Sequence, residues 1–134
     1  PHKISNPNTN CNKDTLHFTL TLPDTTQFAV YAPTEDCPNI FWNNVHNYSN
    51  QGKADHGIIL GDFNCTLNHL QDSSGYKTDP HPKSRKVLNG LLDNEEFIDS
   101  FRHFNQDSRA YTYRNKKENL RGRLDYGLIS PSLI

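Results

Sequence analysis

The segment Gly57-Ile58-Ile59-Leu60-Gly61-Asp62-Phe63-Asn64 is a short apolar run that opens into a polar end. A short apolar run bounded by glycine reads as a central, buried strand. Asp62 and Asn64 then fall at its C-terminal end, where α/β sheets usually place their ligands. They lie two residues apart, so in extended backbone both side chains face the same side. A carboxylate beside a carboxamide can orient a water and hold a phosphate or a metal ion. The plain alternative is an ordinary turn, because Gly, Asp and Asn are turn residues.

Towards the N-terminus, Leu16, Phe18, Leu20 and Leu22 alternate with His17, Thr19 and Thr21, the period of a half-buried strand. Pro23-Asp24 supplies a turn, and Gln27 to Tyr31 reads as a second strand, so the two predict an antiparallel hairpin. Asp36 and Pro38 predict a helix entry, with Phe41, Val45 and Tyr48 on one helical face and Gly52 at its end. Residues 1–14 are rich in Asn, Pro and Lys and read as a loop or disordered lead-in. Towards the C-terminus, Cys65 to Pro82 is a polar loop. Val87, Leu88, Leu91 and Leu92 mark a helix, and Phe97, Phe101 and Phe104 a shorter one. Tyr111–Tyr113 and Leu124–Ile129 are the last strand candidates. The irregular alternation predicts a mixed α/β layered fold, a single domain over residues 15–134.

Three further stretches carry chemistry. In Arg123-Leu124-Asp125-Tyr126, Leu124, Tyr126 and Leu128 share an apolar face and Asp125 points to the other. A carboxylate on an internal strand is costly unless paired, and its natural uses are orienting a histidine or holding an ion. The bland alternative is an exposed ion pair with Arg123. Tyr31-Ala32-Pro33-Thr34 closes the second strand, where a phenol can donate to a phosphate oxygen or simply pack. Tyr111-Thr112-Tyr113-Arg114 reads as a nucleic-acid groove wall or as an amphipathic edge strand.

The totals narrow the classes. The 134 residues carry a formal net charge of -1 and no methionine, with a pI near 6.8 and a mean hydropathy of -0.85. Whole-chain charge therefore makes no electrostatic case for nucleic acid, which has to come from the site. No apolar run approaches the roughly 20 residues of a membrane span, and no basic-then-apolar leader marks a secretory signal. Cys11, Cys37 and Cys65 are an odd set without paired spacing and read as free thiols. The seven histidines show no metal-ligand spacing and read as surface or satisfied residues. With Pro1 first and no methionine, the chain is expected to be a piece of something longer.

Taken in order, Tyr31-Ala32-Pro33, Gly61-Asp62-Phe63-Asn64, Thr112 with Tyr113, and Arg123-Leu124-Asp125-Tyr126 resemble successive motifs of the endonuclease/exonuclease/phosphatase superfamily. Asp72-Ser73-Ser74-Gly75 and Phe97-Ile98-Asp99-Ser100-Phe101-Arg102 look like LINE-type (non-LTR) retrotransposon endonucleases in particular. The resemblance covers Leu16 to Ile134. It implies a partial two-sheet α/β sandwich and hydrolysis of a DNA phosphodiester with Mg²⁺ or Mn²⁺, leaving a 3′-hydroxyl. It implies that Asp62 orients or deprotonates the attacking water, and that Asn64 holds that water, the phosphate or an ion. Tyr31 would contact the scissile phosphate, Asp125 would orient a histidine, and Thr112 and Arg123 would sit near the DNA backbone. Asp62 and Asn64 would also be metal ligands, beside a main Glu ligand outside the chain. The implied partners are DNA and a reverse transcriptase domain in the parent polypeptide, with no membrane, inside the cell and in the nucleus when acting.

The chain departs from the family's pattern at both ends. Nothing before Tyr31 supplies the family's early Asn and metal-binding Glu, and the Ser-Asp-His motif does not occur by Ile134. Gly122 stands where many members have Ser, and Gly127 where a bulky apolar residue is usual. The isolated chain is therefore expected to be inactive. The rival readings are a phosphatase or phosphodiesterase of the same fold and a non-catalytic remnant.

Overall fold

The computed structural model describes residues 3–5, 16–21, 25–36, 56–95 and 97–134. Strands β1 (Lys3–Ser5), β2 (Leu16–Thr21), β3 (Thr25–Tyr31), β4 (His56–Asp62), β6 (Ile98–Asp99) and β9 (Asp125–Ile129) form one sheet in the order β1-β2-β3-β4-β9-β6. A smaller sheet has the order β5-β8-β7, from β5 (Ser73–Ser74), β7 (Tyr113–Asn115) and β8 (Leu120–Gly122). Among the described residues the α-helices are α1 (His69–Asp72), α2 (Pro82–Glu95) and α3 (Ser100–Phe104), with a 3-10 turn at Pro131–Leu133. The described residues thus show the expected mixed α/β fold with two sheets.

Strands β2 and β3 pair antiparallel as their alternation predicts. β4 joins β3 in parallel and β9 antiparallel, so Gly57 to Asp62 lies in the middle of the large sheet. Period-two alternation then sorts the side chains. Phe28, Ile59 and Leu128 form one cross-strand row, with Val30 and Tyr126 in the next, and all five are buried. Leu88 and Leu92 of α2, together with Phe63, complete this core. Truncating fully buried Leu88 or Leu128 to alanine would cost about 2–5 kcal/mol. The opposite face of the sheet is more open, and Leu60 is 48% exposed there.

Two glycines of the large sheet have different backgrounds. Gly61 has a φ of +146°, and a Cβ there would lie 1.9 Å from the Val30 carbonyl oxygen. Only glycine fits where the strand approaches its neighbour so closely. At Gly127 a Cβ would meet Ser100 Oγ at 3.2 Å and Leu60 Cδ2 at 3.3 Å, and Ser100 Oγ donates to the Gly127 carbonyl at 2.7 Å. The small residue at this unusual position lets α3 pack against β9.

Several elements differ from expectation. Lys3–Ser5 pairs with β2, within the stretch read as a lead-in. The polar stretch Cys65 to Pro82 contains α1 and β5. Tyr111 and Thr112 precede β7 rather than forming a strand, and the Phe97 to Phe104 segment divides into β6 and α3. The helix expected after Asp36, with Phe41, Val45 and Tyr48, lies outside the described residues, as do Cys11 and Cys37. Cys65 is buried and free. Burial pushes its thiol up to about 12, so it is no nucleophile near neutral pH.

Candidate active site

The register places Tyr31, Asp62 and Asp125 in one row across three neighbouring strands. Residues opposite one another in a sheet project to the same face. The row therefore sits on the open face, at the C-terminal ends of the parallel pair β3 and β4. Tyr31 is 44% exposed and Asp125 is exposed, while Asp62 is half-buried between them. The ladder continues one step beyond, because Phe63 N–H donates to the Leu124 carbonyl at 2.8 Å. Leu124 N–H and Asp125 N–H both donate to Thr112 Oγ1 instead of to β4, so neither Phe63–Leu124 nor Asp62–Asp125 exchanges both bonds. Facing antiparallel residues that do not exchange both bonds belong to the more closely spaced class of pairs.

Asn64 turns away from the strand. Its φ is +46°, a left-handed conformation that asparagine tolerates better than most residues. Its N–H donates to Asp62 Oδ1 at 2.8 Å, and its Nδ2 donates to the Ala32 carbonyl at 2.7 Å. One bond fixes the carboxylate of Asp62, and the other fixes the carboxamide. With Nδ2 committed to Ala32, the Asn64 side-chain oxygen is left to accept from elsewhere. Gly61 to Asn64 is therefore both a turn and a device that holds two oxygen donors in place. Burial raises the Asp62 carboxyl above the ordinary carboxylate range; the bond from Asn64 N–H works against this and the Asp125 charge adds to it.

Thr112 meets the chain next to the row. Its Oγ1 accepts from Leu124 N–H at 3.0 Å and from Asp125 N–H at 3.2 Å.

Arg123 requires a correction. It was expected near the DNA backbone, yet it is buried, 3% exposed. Its Nε donates to Asp72 Oδ1 at 3.0 Å, and its Nη1 and Nη2 donate to Asp99 at 3.0 and 2.6 Å. Its guanidinium lies over the rings of Tyr126 and Phe101. Asp72, 1% exposed, also accepts from Arg102 Nη2 at 2.7 Å. The network joins α1, β6, α3 and the segment between β8 and β9. A buried guanidinium with this many carboxylate partners is structural. Asp72, Asp99 and Arg102 belong to the stretches that carry the family resemblance, but their charge pattern alone assigns them no partner.

A cleft of about 230 Å³ opens beside the row, lined among others by Thr34, Asn64, His69, Tyr76, His81 and Tyr113. His81 Nε2 pairs with the Thr34 carbonyl at 2.7 Å, and His69 Nδ1 with Ser73 Oγ at 3.0 Å. Burial, helped by the charge of Arg85, lowers the pKa of His69, so its ring is neutral near pH 7. Sequence spacing does not single out these residues. The signal that was present is Asn68-x-x-Gln71, a helix-capping pattern, and Gln71 N–H does donate to Asn68 Oδ1 at 3.2 Å.

Among the described residues, no group of three or more His, Cys, Asp or Glu is placed to hold a metal ion. Asp62, Asp125 and the Asn64 carboxamide instead offer a mixed set of hard oxygen donors, a type that suits Mg²⁺ or Mn²⁺.

No protein-family model matches the chain. Solved structures do. The 3′ phosphatase NExo from Neisseria, bound to a product DNA hairpin, matches with a TM-score of 0.73 and 16% identity over 98% of this chain and 58% of that one. An AP endonuclease from Archaeoglobus fulgidus matches with a TM-score of 0.70 and 18% identity over 97% and 58%. The AP endonuclease LMAP from Leishmania major matches with a TM-score of 0.64 and 17% identity over 91% and 48%. The chain thus spans about half the length of the structures that it matches. What it shares with them is their mixed α/β fold.

Proposed function

We propose that this chain carries part of a phosphodiester-hydrolysing site that acts on DNA. The observation that carries the proposal is the row Tyr31, Asp62 and Asp125, with Asn64 fixed beside it, at strand ends of this fold. In this reading a water is held between Asp62 and the Asn64 carboxamide oxygen. Asp62 takes its proton as the water oxygen bonds to phosphorus. The Tyr31 hydroxyl donates to a non-bridging phosphate oxygen as charge develops there. The P–O3′ bond breaks, and the 3′ oxygen leaves as a hydroxyl after taking a proton. No described residue is assigned to give that proton. Asp125 would orient the group that does so. A divalent cation held by Asp62 and Asn64, with further ligands from outside these residues, would supply charge stabilisation to the phosphate.

The similarity to AP endonucleases and a DNA 3′ phosphatase supports DNA as the substrate class. The finer reading, a retrotransposon endonuclease working beside a reverse transcriptase, rests on the stretches Asp72 to Gly75 and Phe97 to Arg102. The 134-residue chain alone is expected to leave supercoiled plasmid intact in Mg²⁺, because a catalytic set stripped of members loses orders of magnitude in rate.

The test uses the intact parent protein on supercoiled plasmid, with DNA binding measured beside nicking. Asp62→Ala and Asn64→Ala should each abolish nicking and leave binding nearly unchanged. A polymerase should extend the nicked product directly, as a 3′-hydroxyl requires. Parallel loss of binding and nicking in Asp62→Ala would make Asp62 structural and end the proposal.

A further inference from the structure

We propose that Thr112 is a positioning residue: its hydroxyl clasps the backbone from which Asp125 projects and so keeps Asp125 opposite Asp62. The inference rests on the reading of Asp125 as a site residue. It goes beyond a simple contact between Thr112 and the DNA backbone.

The chain crosses from the small sheet to the large one between β8 and β9, at Arg123 and Leu124. At this corner the regular ladder is interrupted, and three successive N–H groups need partners. Arg123 N–H donates to the Asp72 carbonyl at 2.8 Å. The next two, from Leu124 and Asp125, both donate to Thr112 Oγ1. Thr112 is itself held by its own N–H, which donates to the Gly122 carbonyl at 3.0 Å. A hydroxyl accepts two bonds and donates one. Both acceptor positions of Thr112 are therefore filled from within, and its O–H remains to donate outward.

Among the described residues, no other side chain holds the backbone N–H of Asp125, which otherwise has only its place in the β4–β9 ladder. Among the described residues its carboxylate has neither a hydrogen bond nor an ion pair, and the side chain is exposed. Its position is set by its backbone, and the backbone N–H is set by Thr112. On the far side, Leu124 is tied to β4 through its carbonyl and Phe63 N–H. Removing the Thr112 hydroxyl strips both N–H partners at the point where Asp125 enters the sheet.

The test compares Thr112→Val, Thr112→Ala and Thr112→Ser. Val keeps the shape and loses the acceptor, Ala loses both, and Ser keeps the hydroxyl. In the 134-residue chain, amide hydrogen exchange at Leu124 and Asp125 should be slow in wild type and Ser, and fast in Val and Ala. In the intact parent protein, kcat for nicking should fall by about a hundredfold in Val and Ala, the scale of a small misplacement of a reacting group. KM should hold, and Ser should restore kcat. Unchanged exchange in both Val and Ala would overturn the clasp. Fast exchange with unchanged kcat would overturn the positioning role, and a loss confined to KM would make Thr112 a DNA contact only. Asp125→Ala, run in parallel, separates the two levels: if it nicks like wild type, the site reading fails whatever the exchange data show.

Discussion

Asp62 and Asp125 face one another across antiparallel strands at the register position where opposed side chains stand closest. Like charges directly opposite one another are destabilising. Two carboxylates in this arrangement are a cost to the fold that a cation or a proton relieves, which is the behaviour expected of a site rather than of a scaffold.

The first prediction follows from the sign of that cost. The folded-state pKa of Asp62 is raised, by burial first and by Asp125 after it. A group of this kind stabilises the fold fully below its unfolded pKa, and the contribution is lost as pH rises through its folded pKa. At neutral pH the ionised Asp62 is therefore unfavourable. Asp62→Asn keeps an oxygen to accept from Asn64 N–H and removes the charge. It should raise the melting temperature at pH 7. Circular dichroism melts should show the gain shrinking as pH falls through the carboxylate range, and nicking by the parent protein should disappear. A melting temperature below wild type at pH 7 would contradict the electrostatic account.

Arg123→Ala should be severe. It leaves Asp99 without its two guanidinium bonds and leaves buried Asp72 with Arg102 as its remaining guanidinium, beside the bond from Asn68 N–H. Breaking a buried pair by removing one partner costs about 3–5 kcal/mol, which urea unfolding would register. Arg123→Lys should recover little, because an ammonium cannot span the same three bonds. In variants that stay folded, the salt dependence of DNA binding should match wild type, since a buried guanidinium releases no counterions.

Two glycines should respond oppositely to alanine. Gly61→Ala drives a Cβ into the Val30 carbonyl and should prevent folding, read as loss of soluble protein. Gly90 lies within α2 and a Cβ there meets nothing within 4 Å. Gly90→Ala should stabilise the chain by about 0.5–1 kcal/mol in urea unfolding, through helix propensity and a stiffer unfolded chain.

These contrasts show what the sequence makes legible. The period-two runs from Leu16 to Tyr31 predict the β2–β3 hairpin, and the alternation of Asp125, Tyr126 and Leu128 puts Asp125 opposite the core face. Strands of two or three residues, such as β5, β7 and β8, are too short to show a period, so the small sheet is invisible. Arg123 misleads for a related reason. Its parity matches Asp125, which suggests a shared face, but the strand is interrupted at Arg123 and Leu124 and parity does not carry across the break. The partners of Arg123 are far away in sequence, where only the folded chain brings them together.

Asp36 carries a pH prediction of the opposite sign. It acts from a distance as a cap for α2: Ser84 N–H donates to its Oδ1 at 2.8 Å and Lys83 N–H to its Oδ2 at 3.3 Å. Its slight burial works against ionisation, but the bonds from Ser84 and Lys83 outweigh it and hold the pKa below the ordinary value. Such a group stabilises above its unfolded pKa, and the contribution is lost as pH falls through the folded pKa. Asp36→Ala should therefore cost about 1 kcal/mol at pH 7, as for other lost caps. The difference from wild type should narrow in melts at acidic pH.

The order of strands in the large sheet also fixes when the acidic row can exist. A chain made from its N-terminus can close the β2–β3 hairpin early, because those strands lie close together in sequence. β4 pairs in parallel with β3 and needs a long connection to do so. β9, which brings Asp125, enters last and on the far edge of β4. A polypeptide interrupted before Asp125 has its hairpin and β4, yet it has no second carboxylate and no Thr112-clasped corner. The facing carboxylates and the Thr112 clasp are therefore the last parts of the row to be made, and any chain that stops before Asp125 lacks both.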